Sequence, residues 1–126
     1  MDDEPLDLLA ASLRADSTDT RSLIEALAAK LEAALPTQTT IDRKAARLFS
    51  NKKRVESVKV VLGEHTYELS IAGDTPKPTR RKTVGGIAIR NETLSLDEWL
   101  SGLTHALSVE AGHSEAARIA LEQLLR

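Results

Sequence analysis

The chain has 126 residues and a mass of 13.7 kDa, the size of one ordinary domain. Its 41% apolar and 29% charged residues exclude a disordered tail or a fibre, and no apolar run approaches the ~20 residues of a membrane span. The absence of cysteine excludes disulfides, thiolate nucleophiles and cysteine-based zinc sites. The net charge of −2 hides a division: residues 1–42 carry −6, residues 43–90 carry +8 and residues 91–126 carry −4. A basic middle between acidic ends is either neutralised by those ends or meets an anionic partner.

Taken in chain order, residues 1–35 read as helical. Leu6, Leu8, Leu9 and Leu13 form a short stripe behind Pro5, and Asp16-Ser17-Thr18-Asp19 breaks it and supplies an N-cap. Leu23, Ile24, Leu27, Leu31 and Leu35 then recur at spacings of three and four, which predicts an amphipathic helix ended by Pro36. Residues 36–54 read as a linker followed by a short basic helix. Thr40 is its cap, Ile41, Ala45, Leu48 and Phe49 are its apolar face, and Arg43, Lys44 and Arg47 lie mostly off that face.

Residues 55–91 carry the β signal. With Gly63-Glu64 as a two-residue turn, Leu62 pairs with His65, Val60 with Tyr67 and Val58 with Leu69 on one face. The other face receives Val61 with Thr66, Lys59 with Glu68 and Ser57 with Ser70. One side is almost wholly apolar and the other polar, so a one-residue slip would mix them. Gly73 to Thr79, with two prolines, reads as a mobile loop. In the stretch from Arg80 to Asn91, Gly85-Gly86 is either a β-bulge in one strand or a tight turn between two, and the bulge is preferred. Arg81, Thr83, Ala88 and Arg90 are then expected on the face that carries Lys59.

Residues 95–126 read as helices. Ser95 and Glu98 have capping-box spacing, Leu94 is placed to staple against Trp99, and Trp99, Leu100, Leu103 and Leu107 form the buried stripe. Gly112 stops that helix, Ser114 caps the next, and Ile119, Ala120, Leu124 and Leu125 are its apolar stripe. The expected fold is a single α+β domain over 1–126. It has one small antiparallel sheet of three strands, or four, with the N-terminal and C-terminal helices packed on one face.

The chemistry-bearing residues are sparse. His65, His105 and His113 are scattered and lack zinc-site spacing, so no metal and no cofactor is expected. Asp97 and Glu98 are explained by helix capping and the helix dipole. An enzyme would need a pocket joining His65 to an acid from another element, and no catalytic residue is assigned. Gly85-Gly86 precedes a strand rather than a helix, unlike a phosphate-binding loop.

The candidate contacts to an anionic partner are Arg43, Lys44, Arg47, Lys52, Lys53 and Arg54 in one cluster and Lys77, Arg80, Arg81, Lys82 and Arg90 in a second. With only Phe49, Tyr67 and Trp99 as aromatics, such binding would be directed to the phosphate backbone and non-specific. The first expectation is a non-enzymatic protein–protein interaction or adaptor module that self-associates as a homodimer, because a small sheet leaves open edges. The alternative is a nucleic-acid-binding protein. Membrane association is not expected, and the acidic start, unlike a secretory leader, points to the cytoplasm.

Overall fold

The computed structural model describes residues 20–45, 53–72 and 75–125. They form helix α1 (Thr20–Ala34), strands β1 (Thr39–Ala45), β2 (Lys53–Leu62), β3 (His65–Ala72), β4 (Thr75–Val84) and β5 (Ile87–Thr93), then helices α2 (Leu96–Glu110) and α3 (Glu115–Leu124). The five strands make one antiparallel meander in the order β1-β2-β3-β4-β5, with α1, α2 and α3 on one face. The class is α+β, and the sheet is larger than the expected three or four strands. None of the described helices is long and apolar enough to cross a membrane.

The β2–β3 register is the expected one at all six pairs, from Ser57 with Ser70 to Leu62 with His65. Gly63 closes the turn with a φ of 62°. Val58, Val60, Leu62, Tyr67 and Leu69 are buried beneath the helices, as one-sided burial requires. Ile24, Leu27, Leu31 and Leu35 of the first amphipathic stripe pack onto them, and the helix ends before Pro36. The stripe from Leu6 to Leu13 and the cap at 16–19 lie outside the described residues.

The basic helix expected over Ile41 to Phe49 is instead β1, as far as the described residues reach. Thr39, Thr40 and Ile41 are consecutive β-branched residues, which favour a pleated strand. Thr39 pairs with Val60 and Ile41 with Val58, so strand alternation carries Ile41 to the core side. The linker is correspondingly shorter. Val61 N–H donates to Gln38 O at 2.9 Å, and Gln38 Nε2 donates to Val61 O at 3.1 Å, latching the turn to β2. Leu48, Phe49, Arg47 and Lys52 lie outside the described residues.

The loop expected over 73–79 is mostly β4, which begins at Thr75 and pairs Pro76 with Ile71 and Pro78 with Leu69. Pro78 O accepts from Leu94 N–H at 3.0 Å, so the N-face of Pro78 also points away from β3. β5 pairs with β4 only from Thr79 onward, so neither proline interrupts that ladder.

Gly85-Gly86 is the tight turn, not the preferred bulge. Both glycines have positive φ, 59° and 80°, as a two-residue hairpin turn of the primed type demands. A separate register shift falls between Lys82 and Thr83 and sets Arg90 opposite Lys82. Arg90 therefore lies on the helix side of the sheet rather than with Lys59.

Beyond the end of the β3 ladder, side chains of α1 satisfy the buried backbone of Val55. Its N–H donates to Glu25 Oε2 at 2.8 Å, and its C=O accepts from Arg21 Nη1 at 2.6 Å. The capping box of α2 is complete: Glu98 N–H donates to Ser95 Oγ at 3.1 Å and Ser95 N–H to Glu98 Oε1 at 2.9 Å. Ser114 caps α3, whose buried stripe is Ala117, Ala120 and Leu124, while Ile119 and Leu125 face outward.

Tyr67 ties α2 to the sheet. Its hydroxyl donates to Gly102 O at 3.0 Å, its ring meets Trp99 edge-on at 6.2 Å, and Trp99 Nε1 donates to Thr79 O at 3.2 Å. A Cβ on Gly102 would lie 3.2 Å from both Tyr67 Cε2 and Arg80 Nη1, so the glycine permits this close approach.

Alanine is ordinarily the better helix residue by about 1 kcal/mol. Overpacking against the pinned Tyr67 ring should reverse that sign, so Gly102→Ala loses about 1–2 kcal/mol in urea unfolding. A more stable Gly102→Ala would show that Tyr67 and Arg80 yield freely.

Hydrogen bonds from the Ser95 backbone N–H and then its hydroxyl hold the Glu98 carboxyl below its ordinary value of 4.5. A lowered folded pKa stabilises above the unfolded value and is lost as pH falls through the folded one. The Tm advantage of wild type over Glu98→Gln should be full at neutral pH and be lost as pH falls below 4.5 and through the lowered folded value. A constant difference across pH would remove the ionised cap from the account.

Candidate functional site

The nine described basic candidates do not form one patch. By strand alternation Arg43, Lys53, Arg80, Lys82 and Arg90 lie on the helix side, and Lys44, Arg54, Lys77 and Arg81 lie on the opposite face. Several already hold carboxylates. Arg43 donates to both oxygens of Glu32 at 3.1 and 3.3 Å, and this hydrogen bonding raises its pKa. Lys44 lies 3.4 Å from Glu56. Arg80 and Arg90 share Glu92, at 2.8 and 3.5 Å. Burial works against the charge of Arg80, but hydrogen bonds to Glu92 and Tyr67 outweigh it and leave the guanidinium pKa raised. Among the described residues, then, the basic middle is partly neutralised by acids of the flanking segments.

The face opposite the helices is polar. One row runs across all five strands as Thr40, Lys59, Glu68, Thr79 and Thr93, and no described element covers it. The described aromatics, Tyr67 and Trp99, are buried, so neither offers a base-stacking platform there.

The two sheet edges differ. β1 carries Asp42, Arg43 and Lys44, charged side chains that discourage edge pairing, and the extra residue at its register shift with β2 is Glu56 of β2. β5 exposes Ile87 at 68% and Ile89 at 57% of their surface, beside Val84 at the same hairpin, and Ile89 is the extra residue at its register shift with β4. From Arg90 to Thr93 its pairing with β4 is regular. This edge is hidden in the sequence, where Arg80 to Asn91 reads as one strand with a bulge rather than as the last two strands of a meander.

A cleft of about 360 Å³ lies between the β2–β3 turn and α2. Arg80, Tyr67 and Gly102 line one end, His65 and His105 the middle, and Gly63, Glu64 and Glu110 the other end. The fold therefore does bring His65 into one pocket with an acid of another element. Among the described residues, however, neither His65 nor His105 is hydrogen-bonded to a carboxylate. The contact of His65 is a ring contact with Tyr67 at 6.4 Å, and Glu110 instead faces His113 at 3.6 Å. A histidine base ordinarily needs an orienting partner, so this arrangement has no assembled catalytic pair. Among the described residues no group of three or more His, Asp or Glu is placed to hold a metal ion.

Comparison of this chain with known protein families, with curated proteins and with solved structures finds no match.

Proposed function

We propose that this domain is a non-enzymatic protein–protein interaction module that joins a second copy of itself along β5. The observation that carries the reading is the exposure of Ile87 and Ile89 on an edge strand, where unpaired backbone groups and apolar side chains both favour pairing with another strand. The sequence of β5 supports a copy of the same chain as the occupant. An antiparallel pair centred on Asn91 sets Arg90 opposite the partner subunit's Glu92, twice by symmetry, with Ile89 opposite the partner subunit's Thr93 and Ile87 flanking the end of the paired stretch.

The phosphate-binding reading has weaker support, because Arg43, Lys44, Arg80 and Arg90 are engaged with carboxylates and the basic residues divide between two faces. Its remaining material includes Lys53, Lys77, Arg81 and Lys82.

Sedimentation velocity over a micromolar concentration series tests the proposal. Wild type should sediment as a dimer, and the double variant Ile87→Lys with Ile89→Lys as a monomer with unchanged far-UV circular dichroism. Arg90→Glu, which places like charges across the two-fold axis, should weaken the dimer by about tenfold. A wild type that stays monomeric, or a double variant that dimerises equally well, would overturn the β5 interface. Salt-sensitive binding of mixed-sequence DNA by a monomeric protein would put the phosphate reading first.

A further inference from the structure

We propose that the cleft between the β2–β3 turn and α2 binds a short peptide with free ends, its carboxylate at Arg80 and its amine at Glu110 and Glu64. Its support is how the cleft distributes charge, not the exposure of the β5 edge.

At one end the guanidinium of Arg80 is held in place from two sides. Glu92 accepts from Nη2 at 2.8 Å, and the Tyr67 ring centre lies 6.0 Å from the guanidinium carbon. Nη1 is the nitrogen on the Gly102 side, 3.2 Å from where a Cβ on that glycine would stand. The missing side chain of Gly102 lets Arg80 and Tyr67 lie close against α2, so this end of the cleft is walled by the guanidinium itself. Arginine has five N–H donors, so binding Glu92 does not exhaust it, and a carboxylate is the acceptor that fits its fork.

At the other end the chemistry reverses. Glu110 lies against the hairpin turn, with Oε1 3.5 Å from a Cβ built on Gly63, and Glu64 is next in the turn. These two carboxylates suit an ammonium group. Between the ends stand His65 and His105, whose ring nitrogens can hydrogen-bond to a peptide unit. Lys82 and Arg90 continue the row of His65 toward β5 but do not line the cleft.

The dimensions select the length. Gly102 and Glu110 are eight residues apart on α2, about 12 Å at 1.5 Å per residue. An extended chain advances about 3.3–3.6 Å per residue, so about three residues span the two ends. The 360 Å³ volume is at the small end of the range for ligand pockets, as such a ligand requires. A single amino acid holds its charges too close together to reach both ends, and a simple anion or cation engages only one.

The test is a titration of the full chain with tri-alanine, followed by the ring C–H signals of His65 and His105 in NMR spectra. Both signals should shift saturably. N-acetyl tri-alanine and tri-alanine amide, which each lack one charge, should bind about tenfold more weakly, the loss expected for one charge-assisted hydrogen bond. Ala106→Trp, which fills the cleft from α2, should abolish binding with circular dichroism unchanged. His105→Ala, at an exposed position and therefore safe for folding, should weaken it. The proposal is overturned if tri-alanine gives no saturable shift, if the blocked peptides bind as well as the free one, or if a folded Ala106→Trp or His105→Ala binds like wild type. Sedimentation of the same samples keeps this outcome separate from that of the β5 interface.

Discussion

The junction of Tyr67, Trp99 and Gly102 sets the geometry of the C-terminal half. A helix that packs on a sheet is free to slide unless something directional fixes it, since apolar burial has no preferred register. Two hydrogen bonds supply the direction: Tyr67 Oη to Gly102 O, and Trp99 Nε1 to Thr79 O. They tie α2 to β3 and β4 at once, with the aromatic rings edge to face between them. Because Gly102 has no side chain, the backbone of α2 comes close enough for the Tyr67 hydroxyl to reach it. The cleft beyond this contact, with Arg80 at its near end, exists because α2 is held there and runs on past the β2–β3 turn.

The uneven charge of the sequence has a plain structural meaning. Its basic middle is most of the sheet, and the described acids of the flanks belong to the three helices and to the outer strands β1 and β5. Arg43 reaches back to Glu32, and Arg80 reaches forward to Glu92, so ion pairs cross both boundaries of the basic segment. These pairs are partly exposed and contribute little stability each. Their effect is on what the surface offers. A run of cations that looks continuous in sequence is split by strand alternation onto two faces, and part of each set is neutralised.

What was legible in the sequence was local. The Val55–Ala72 hairpin could be registered because Leu62, Val60 and Val58 meet partners of matching polarity only one way. Ser95 and Glu98 could be read because a capping box is a contact between residues three apart. The misreadings came from residues whose meaning depends on distant neighbours. Ile41, Ala45, Leu48 and Phe49 have helical spacing, yet β2 offers Thr39 and Ile41 an edge to pair with. Pro76 and Pro78 look like loop residues, but they fall where β5 has ended and no N–H is needed. Gly85-Gly86 fits a bulge or a turn equally well until the partner strand is known. Of the cleft, the single residues were visible and their juxtaposition was not, since His65 and His105 are forty positions apart.

The proposed interface and the proposed ligand site share one carboxylate. Glu92 Oε2 holds Nη2 of Arg80, whose Nη1 faces the cleft, and Glu92 Oε1 lies 3.5 Å from Arg90 in the same edge strand. In a β5–β5 pair each Glu92 would also face the partner subunit's Arg90. A carboxylate divided among more cations gives less to each, so the guanidinium of Arg80 would carry more unbalanced charge in the dimer than in the monomer. That change favours an anion at the near end of the cleft. By linkage, an anion bound there would release part of the hold of Arg80 on Glu92 and favour the paired edge by the same factor. The physical route is short: one carboxylate on β5 and one guanidinium on β4.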